Sequence, residues 1–231
     1  YAVGHFITFV FTHHDREERR SFSISSSPGL GEPLAFTVKR IDNGAYSRLL
    51  IDRAAVGDKL QTTGTAGLFT VPAYEHSYRQ VFFFAAGIGI TPVFSLIKTL
   101  LHNEPSKNIV LIYSNRRRED TVFYEELRAL EQASADTFKL EFLYSTSFNL
   151  ARARLNKSLV PVLLEEYGRT TRDKMLFYIC GPFTYMRMAI FALEEQGVHS
   201  DQIKKENFNP NDTKVIKQEP ADKERHQVTI K

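Results

Sequence analysis

At Gln80 the hydrophobic pattern of this chain changes period, and that change constrains the fold more than any other feature. Residues 81–85 form a continuous apolar run, which suits a strand covered on both faces. Gly87-Ile88-Gly89-Ile90-Thr91-Pro92 follows as a turn, and then Val93, Phe94, Leu96, Ile97, Leu100 and Leu101 recur at helical spacing. The alternation continues. Strand-like runs at 108–113, 138–145 and 175–180 are separated by a helical pattern on Val122, Phe123, Glu126, Leu127 and Leu130 and another over 159–167. A last helix is expected over 183–196, stopped by Gly197. Strands alternating with helices predict a doubly wound parallel sheet, here within residues 78–209.

Upstream, the runs are short and turns are frequent. Strands are expected at 4–11, 20–26, 34–40, 59–63 and 68–71, with a polar turn over 13–18 that contains His13 and His14. Neither histidine has a patterned cysteine or carboxylate partner, so neither reads as a metal ligand. Short strands of this kind predict a small antiparallel barrel over residues 1–75, giving a β plus α/β fold class. The tail from Asn209 to Arg225, which opens the last segment (residues 210–231), is polar, charged and apolar-poor and reads as a linker.

Composition excludes several classes. A net charge of +3 over 231 residues gives no electrostatic case for nucleic acid. The most apolar stretch, 81–97, is broken by Gly87, Gly89, Thr91 and Pro92, so it does not read as a membrane span. A single cysteine excludes an internal disulfide and suits a reducing, cytoplasmic setting. It also excludes an iron–sulfur cluster held by this chain alone, which needs about four thiolates. No signal peptide is visible, and Tyr1 in place of Met predicts a start internal to a longer protein.

The turn after residue 85 carries the first candidate site. Gly87 and Gly89 let backbone approach a pyrophosphate, Thr91 suits the N-cap and Pro92 the first helical position. Free N–H groups at that helix start favour an anion. The second strand ends Tyr113-Ser114-Asn115-Arg116, with no acid to bond a ribose 2′-hydroxyl, and a cation there suits the extra phosphate of NADP. In Arg20-Ser21-Phe22-Ser23, Arg20 and Phe22 share one strand face and the serines the other.

Taken in order, these motifs resemble the ferredoxin–NADP⁺ reductase superfamily across residues 4–208. Arg20-Ser21-Phe22-Ser23 resembles its Arg-x-Tyr-Ser flavin motif, and Gly44-Ala45-Tyr46-Ser47 its flavin-phosphate loop. Residues 64–69 resemble the segment closing its barrel, and Gly87 to Pro92 its pyrophosphate loop. Cys180-Gly181-Pro182 is similar to the nicotinamide-side motif, and Glu206-Asn207-Phe208 to the closing Glu-x-aromatic strand. The resemblance implies FAD and NADP(H). Arg20 would then pair with the flavin pyrophosphate, Phe22 would stack on the ring, and Ser23 would donate toward N5. Ser47 with Gly44, Ala45 and Tyr46 would hold phosphate, and Val38 and Lys39 would contact the ring's polar edge. Thr91 would border both rings, Cys180 would lie beside the nicotinamide, and Glu206 and Phe208 would close the flavin's other face. Ser23, Cys180 and Glu206 are the catalytic candidates. Ser114, Asn115, Arg116, Ser145 and Arg154 would line the adenosine side, with Thr146 where NADPH-using relatives often have a third arginine.

Tyr1 to Phe6 resembles the segment that follows some forty residues of barrel in this superfamily, so the resemblance implies that opening strands are missing. Residues 226–231 resemble the first strand of a plant-type [2Fe–2S] ferredoxin domain. That order matches reductase components of phenylacetyl-CoA epoxidase-type oxygenases. The implied partners are a ferredoxin domain in cis or a separate [2Fe–2S] protein, and an oxygenase beyond it. Two alternatives stand: an NADH-dependent reductase with another acceptor, and a flavin-holding electron-transfer protein with no productive nicotinamide binding.

Overall fold

A computed structural model describes residues 1–13, 16–71 and 77–208. The antiparallel unit contains β1 (Phe6–His13), β2 (Arg16–Ser23) and β3 (Gln61–Ala66), in the spatial order β2-β1-β3. Helix α1 (Ala45–Asp52) follows β2 by way of a long loop. Ile7, Phe9, Phe11, Ile24 and Tyr46 form its small buried cluster, with Phe22, Phe36 and Leu50 packed on the rim. His14 and Asp15, at the expected polar turn, lie outside the described residues. Residues 209–231 do too, and with them the expected linker and ferredoxin-like strand.

Three expectations need correction here. No strand forms over 34–40; that segment meets β2's extension through a single bridge, Ile24 to Phe36. The reason is local competition, because Ala35 N donates to Ser26 Oγ (2.9 Å) while Ser25 N takes the Ala35 carbonyl (2.9 Å). No strand forms over 68–71 either. Phe69 instead leaves its own unit and packs in the core of the parallel sheet, edge-on to Tyr178 at 5.1 Å. Gly44 to Ser47, expected as a loop, is the N-cap and first turn of α1.

The second unit is a five-stranded parallel sheet of β4 (Gln80–Ala86), β5 (Asn108–Asn115), β6 (Phe138–Tyr144), β7 (Met175–Cys180) and β8 (Ile203–Glu206), ordered β6-β5-β4-β7-β8. Its helices are α2 (Ile90–Asn103), α3 (Tyr124–Ala133), α4 (Leu159–Tyr167) and α5 (Phe183–Glu195). Alternate residues of β4 part to opposite faces. Val81, Phe83 and Ala85 pack with α2 and α3, while Phe82 and Phe84 pack with α4 and α5. Central strands buried on both sides have no polar face, which is why they read as unbroken apolar runs. The chain reverses its direction of winding between β4 and β7, and the mouth above that reversal is where such sheets take ligands.

Candidate active site

The glycine turn sits at that mouth. Gly87 has φ +54°, a left-handed conformation favourable to glycine, and nothing lies within 4 Å of where its Cβ would project. Tyr113, at the end of β5, donates its hydroxyl to Gly87 O (2.9 Å) and fixes the turn from below. Gly89 is needed for a different reason. A Cβ there would stand 2.3 Å from Cys180 O, so glycine lets the turns after β4 and β7 touch. The helix cap differs from expectation: Gly89, not Thr91, is the N-cap of α2. Thr91 is buried within the first turn and donates to Ile88 O (3.0 Å), while Pro92 sits third in the helix, where no N–H is required.

A cleft of about 1200 Å³ opens between the units. From the antiparallel unit it is lined by Val38 and Lys39, and from the parallel sheet by Gly87, Gly89, Ser114, Asn115, Arg116, Ser145, Arg154, Gly181, Pro182 and Phe208. Sequence reasoning missed Asp120 and Tyr185 in this lining. Tyr185 donates to Ala85 O (3.2 Å) from α5, and no linear signal marks it.

Ser23, Cys180 and Glu206 are brought together although they are far apart in sequence. Cys180 and Glu206 are register partners on β7 and β8, and Ser23 Oγ donates to Glu206 Oε1 (3.4 Å) across the two units. Burial pushes the Cys180 thiol well up, helped by the nearby Glu206 charge. Burial also raises Glu206 to about 7, against the lowering effect of the Ser23 hydrogen bond. A carboxyl that titrates near neutrality beside a hydroxyl can hold or release a proton there.

The sign of its stability effect follows. A carboxyl raised in the folded state supports the fold when protonated, and that support is lost as pH rises toward 7. The full shift corresponds to about 3 kcal/mol, and partial exposure brings it to about 1–2. Glu206→Gln is therefore expected to match the parent below about pH 4.5 and exceed its stability by about 1–2 kcal/mol at pH 8. Urea titrations across that range check it; parallel curves would show that Glu206 carries no such shift.

The residues that fit a dinucleotide are those of the cleft. Ser114 Oγ and Asn115 Nδ2 are buried there and complete no hydrogen bond, though Tyr185 and Tyr113 approach them. Such orphaned atoms suit a polar ligand. Of the residues expected to meet flavin, Val38, Lys39 and Phe208 face the cleft, and the Tyr46 hydroxyl is buried without a completed hydrogen bond. The remaining flavin candidates have partners within the chain. Arg20 pairs with Glu18 (2.7 Å) and lies over Tyr46, and Phe22 packs against Phe9 and Phe36. Ser47 Oγ accepts from Ile41 N and donates to Gly44 O, closing the turn before α1.

An antiparallel unit set against a parallel nucleotide-type sheet, with the cleft at their junction, defines the two-unit flavin and nicotinamide oxidoreductases. Residues 1–71 match the oxidoreductase FAD-binding domain, and residues 83–190 the oxidoreductase NAD-binding domain. The chain belongs to the ferredoxin reductase-type superfamily. It is 30% identical over 90% of its length to the 3-ketosteroid-9-alpha-monooxygenase ferredoxin reductase component of Rhodococcus rhodochrous, spanning 56% of that protein. It is 28% identical over its whole length to one of the proteins that make up the 1,2-phenylacetyl-CoA epoxidase of Escherichia coli, spanning 65% of it. The chain thus spans less than two thirds of these curated relatives. In fold it is similar to a Neisseria gonorrhoeae ferredoxin NADP⁺ reductase with bound FAD and NADP: TM-score 0.76, 21% identity, 90% of this chain and 87% of that one. Among the described residues, no helix is long and apolar enough to cross a membrane.

Proposed function

We propose that the chain takes hydride from NADPH onto FAD and passes electrons singly to a [2Fe–2S] centre serving an oxygenase. When bound, FAD supplies an acceptor of two electrons that can be released one at a time. The protein's own part is placement. The turn from Gly87 to Gly89 receives a pyrophosphate on the start of α2, and Ser114 and Asn115 meet the nucleotide's polar edge. Gly181 and Pro182 would wall the nicotinamide side, with the fully buried Cys180 behind them, Val38, Lys39 and Phe208 would wall the flavin side, and the Ser23–Glu206 pair beside Cys180 can hold a proton. Names of relatives that include a monooxygenase ferredoxin reductase component support the onward partner. The ferredoxin-like start at 226–231 supports its being joined in cis.

One observation carries the choice of NADPH. Arg116 and Arg154 line the cleft and form no ion pair among the described residues. Their neighbours are committed: Arg117 to Asp120, Arg118 to Glu125, Arg152 to Glu141 and Glu166. Two uncommitted guanidinium groups facing one cleft suit a phosphate. Thr146 favours the NADH alternative, because in place of a third cation it gives its hydroxyl to Arg116 O (3.0 Å).

Arg116→Ala is expected to weaken NADPH about tenfold or more while leaving NADH within about twofold, the loss of one charge-assisted contact. Anaerobic bleaching of the flavin band, titrated with each nucleotide, measures both. Equal losses would remove Arg116 from phosphate recognition, and faster bleaching of the parent by NADH would favour the second reading.

A further inference from the structure

Among the described residues, contacts of different kinds join the two units, and three are distinct in chemistry. Phe69 enters the parallel-sheet core against Tyr178, with Tyr178 Oη donating to Thr70 O (2.9 Å) just beside it. The Ser23–Glu206 contact lies at the candidate site itself. The third is a polar cluster outside the cleft, where the loop after β2 meets α2. Ser27 is fully buried, and its Oγ bonds Thr99 Oγ1 at 2.7 Å. Glu32 returns over the short turn Pro28–Leu30, accepts Ser27 N at 2.7 Å, and pairs with Lys98 Nζ at 2.5 Å. Lys98 is itself mostly buried, with its ammonium 4.6 Å from the Phe94 ring centre. Hydrogen bonds to Lys98 and Ser27 hold the Glu32 carboxyl below its usual range despite the opposing cost of burial.

We infer that Ser27 and Glu32, gripping Thr99 and Lys98, form an inter-unit clamp that sets the angle between the two units, and that Lys98 and Glu32 are positioning residues for hydride transfer. The covalent connections give the clamp its leverage. Ser27 lies four residues beyond Ser23, in the loop that leaves β2. Lys98 lies about 12 Å along α2 from the glycine turn, at 1.5 Å per residue. The clamp thus joins the strand bearing Ser23 to the helix bearing the pyrophosphate turn. An apolar pin such as Phe69 resists separation but resists rotation weakly, since hydrophobic burial is non-directional. Two directional contacts on consecutive residues of one helix supply what the pin lacks. A partly buried ion pair of this kind is screened less by salt than an exposed one.

The kinetic consequence rests on the hydride-transfer reading, whereas the structural one does not. In the chain loaded with FAD, Lys98→Met keeps an unbranched side chain of similar length beside Phe94 and removes the charge. The limiting rate of anaerobic bleaching by NADPH is expected to fall about tenfold or more, since small misplacements of reacting groups are costly. NADP⁺ affinity should stay within about twofold, amide exchange at Ser27 should rise about tenfold or more, and Lys98→Arg should restore both rate and protection. Thr99→Val should act in the same direction more weakly. Unchanged exchange in Lys98→Met would overturn the clamp, and so would loss of nucleotide affinity in proportion to rate. If the parent chain binds both cofactors yet never bleaches, the hydride-transfer reading fails instead, and the exchange measurement still decides whether the clamp exists.

Discussion

Gly89→Ala is expected to destabilise the chain by about 3 kcal/mol and, on the function proposed above, to weaken nicotinamide-nucleotide binding (NADP⁺ as the probe) at least about tenfold. Gly89 has φ −60°, a conformation any residue adopts, so backbone preference contributes nothing to the loss. The cost is contact. An added Cβ would stand 2.3 Å from Cys180 O, 2.6 Å from Cys180 C and 2.9 Å from Gly181 N. All three are backbone atoms of the β7–α5 turn, with no flexible side chain to yield. Overpacking costs about 1–3 kcal/mol where neighbours can shift, and here relief requires β4 and β7 to part at their carboxyl ends. That movement would displace Cys180 and open the nucleotide turn at once. Gly87→Ala is the control, because φ +54° is unfavourable for alanine yet no atom lies within 4 Å of its Cβ. It should cost only about 1–2 kcal/mol, the penalty for a left-handed L-residue. Urea midpoints and NADP⁺ titrations of both variants test the distinction; equal losses would mean that conformation, not the β4–β7 contact, sets the requirement.

How legible such features are in sequence depends on their range. The parallel sheet was readable because covering both faces of β4, β5 and β7 leaves continuous apolar runs that few other arrangements explain. The α4 and β7 bounds, Leu159–Tyr167 and Met175–Cys180, coincide with the sequence expectation for the same reason. The antiparallel unit was harder. An alternating run such as 34–40 has the period of a strand, but Ser25 and Ser26 take up the Ala35 peptide group, and that competition depends on folded geometry. Val122 and Phe123 have helical spacing with α3 yet precede it. Phe123 is left-handed at φ 60°, held where its ring stacks on Phe94 at 4.2 Å. Within the candidate site, the glycines at 87 and 89 stand out because backbone demands leave local marks, whereas the Cys180-Gly181-Pro182 run stands out only through its resemblance to a family motif. Ser27, Glu32, Lys98 and Thr99 could not, since their partners lie about 66–72 positions away. Neither Ser23 nor Glu206 carries any local mark of its pairing with the other across 183 positions.

Phe69→Ala should produce the other large effect, a loss of about 3–5 kcal/mol, typical of removing a fully buried phenylalanine ring. Phe69 is only 1% exposed, and it belongs by sequence to one unit and by packing to the other. The asymmetry of the two cores decides where the loss is felt. The parallel sheet has two extensive apolar clusters, one on each face, and loses one contact among many. Among the described residues, the antiparallel unit's own cluster has five buried hydrophobic residues, so a large share of its apolar support is the ring it places in its neighbour. Small cores are marginal by themselves. The variant should therefore unfold in two steps, the antiparallel unit first, with a midpoint lowered by roughly ten degrees or more. Calorimetry together with amide exchange on β1 and β7 distinguishes the steps: β1 should lose protection while β7 keeps it. A single transition with both strands affected equally would mean that the two units fold as one cooperative body and that Phe69 supports both cores alike. Because the Phe69 pin holds the units together and the clamp at Lys98 sets their angle, Phe69→Ala should also raise exchange at Ser27, whereas Lys98→Met should leave β1 protected.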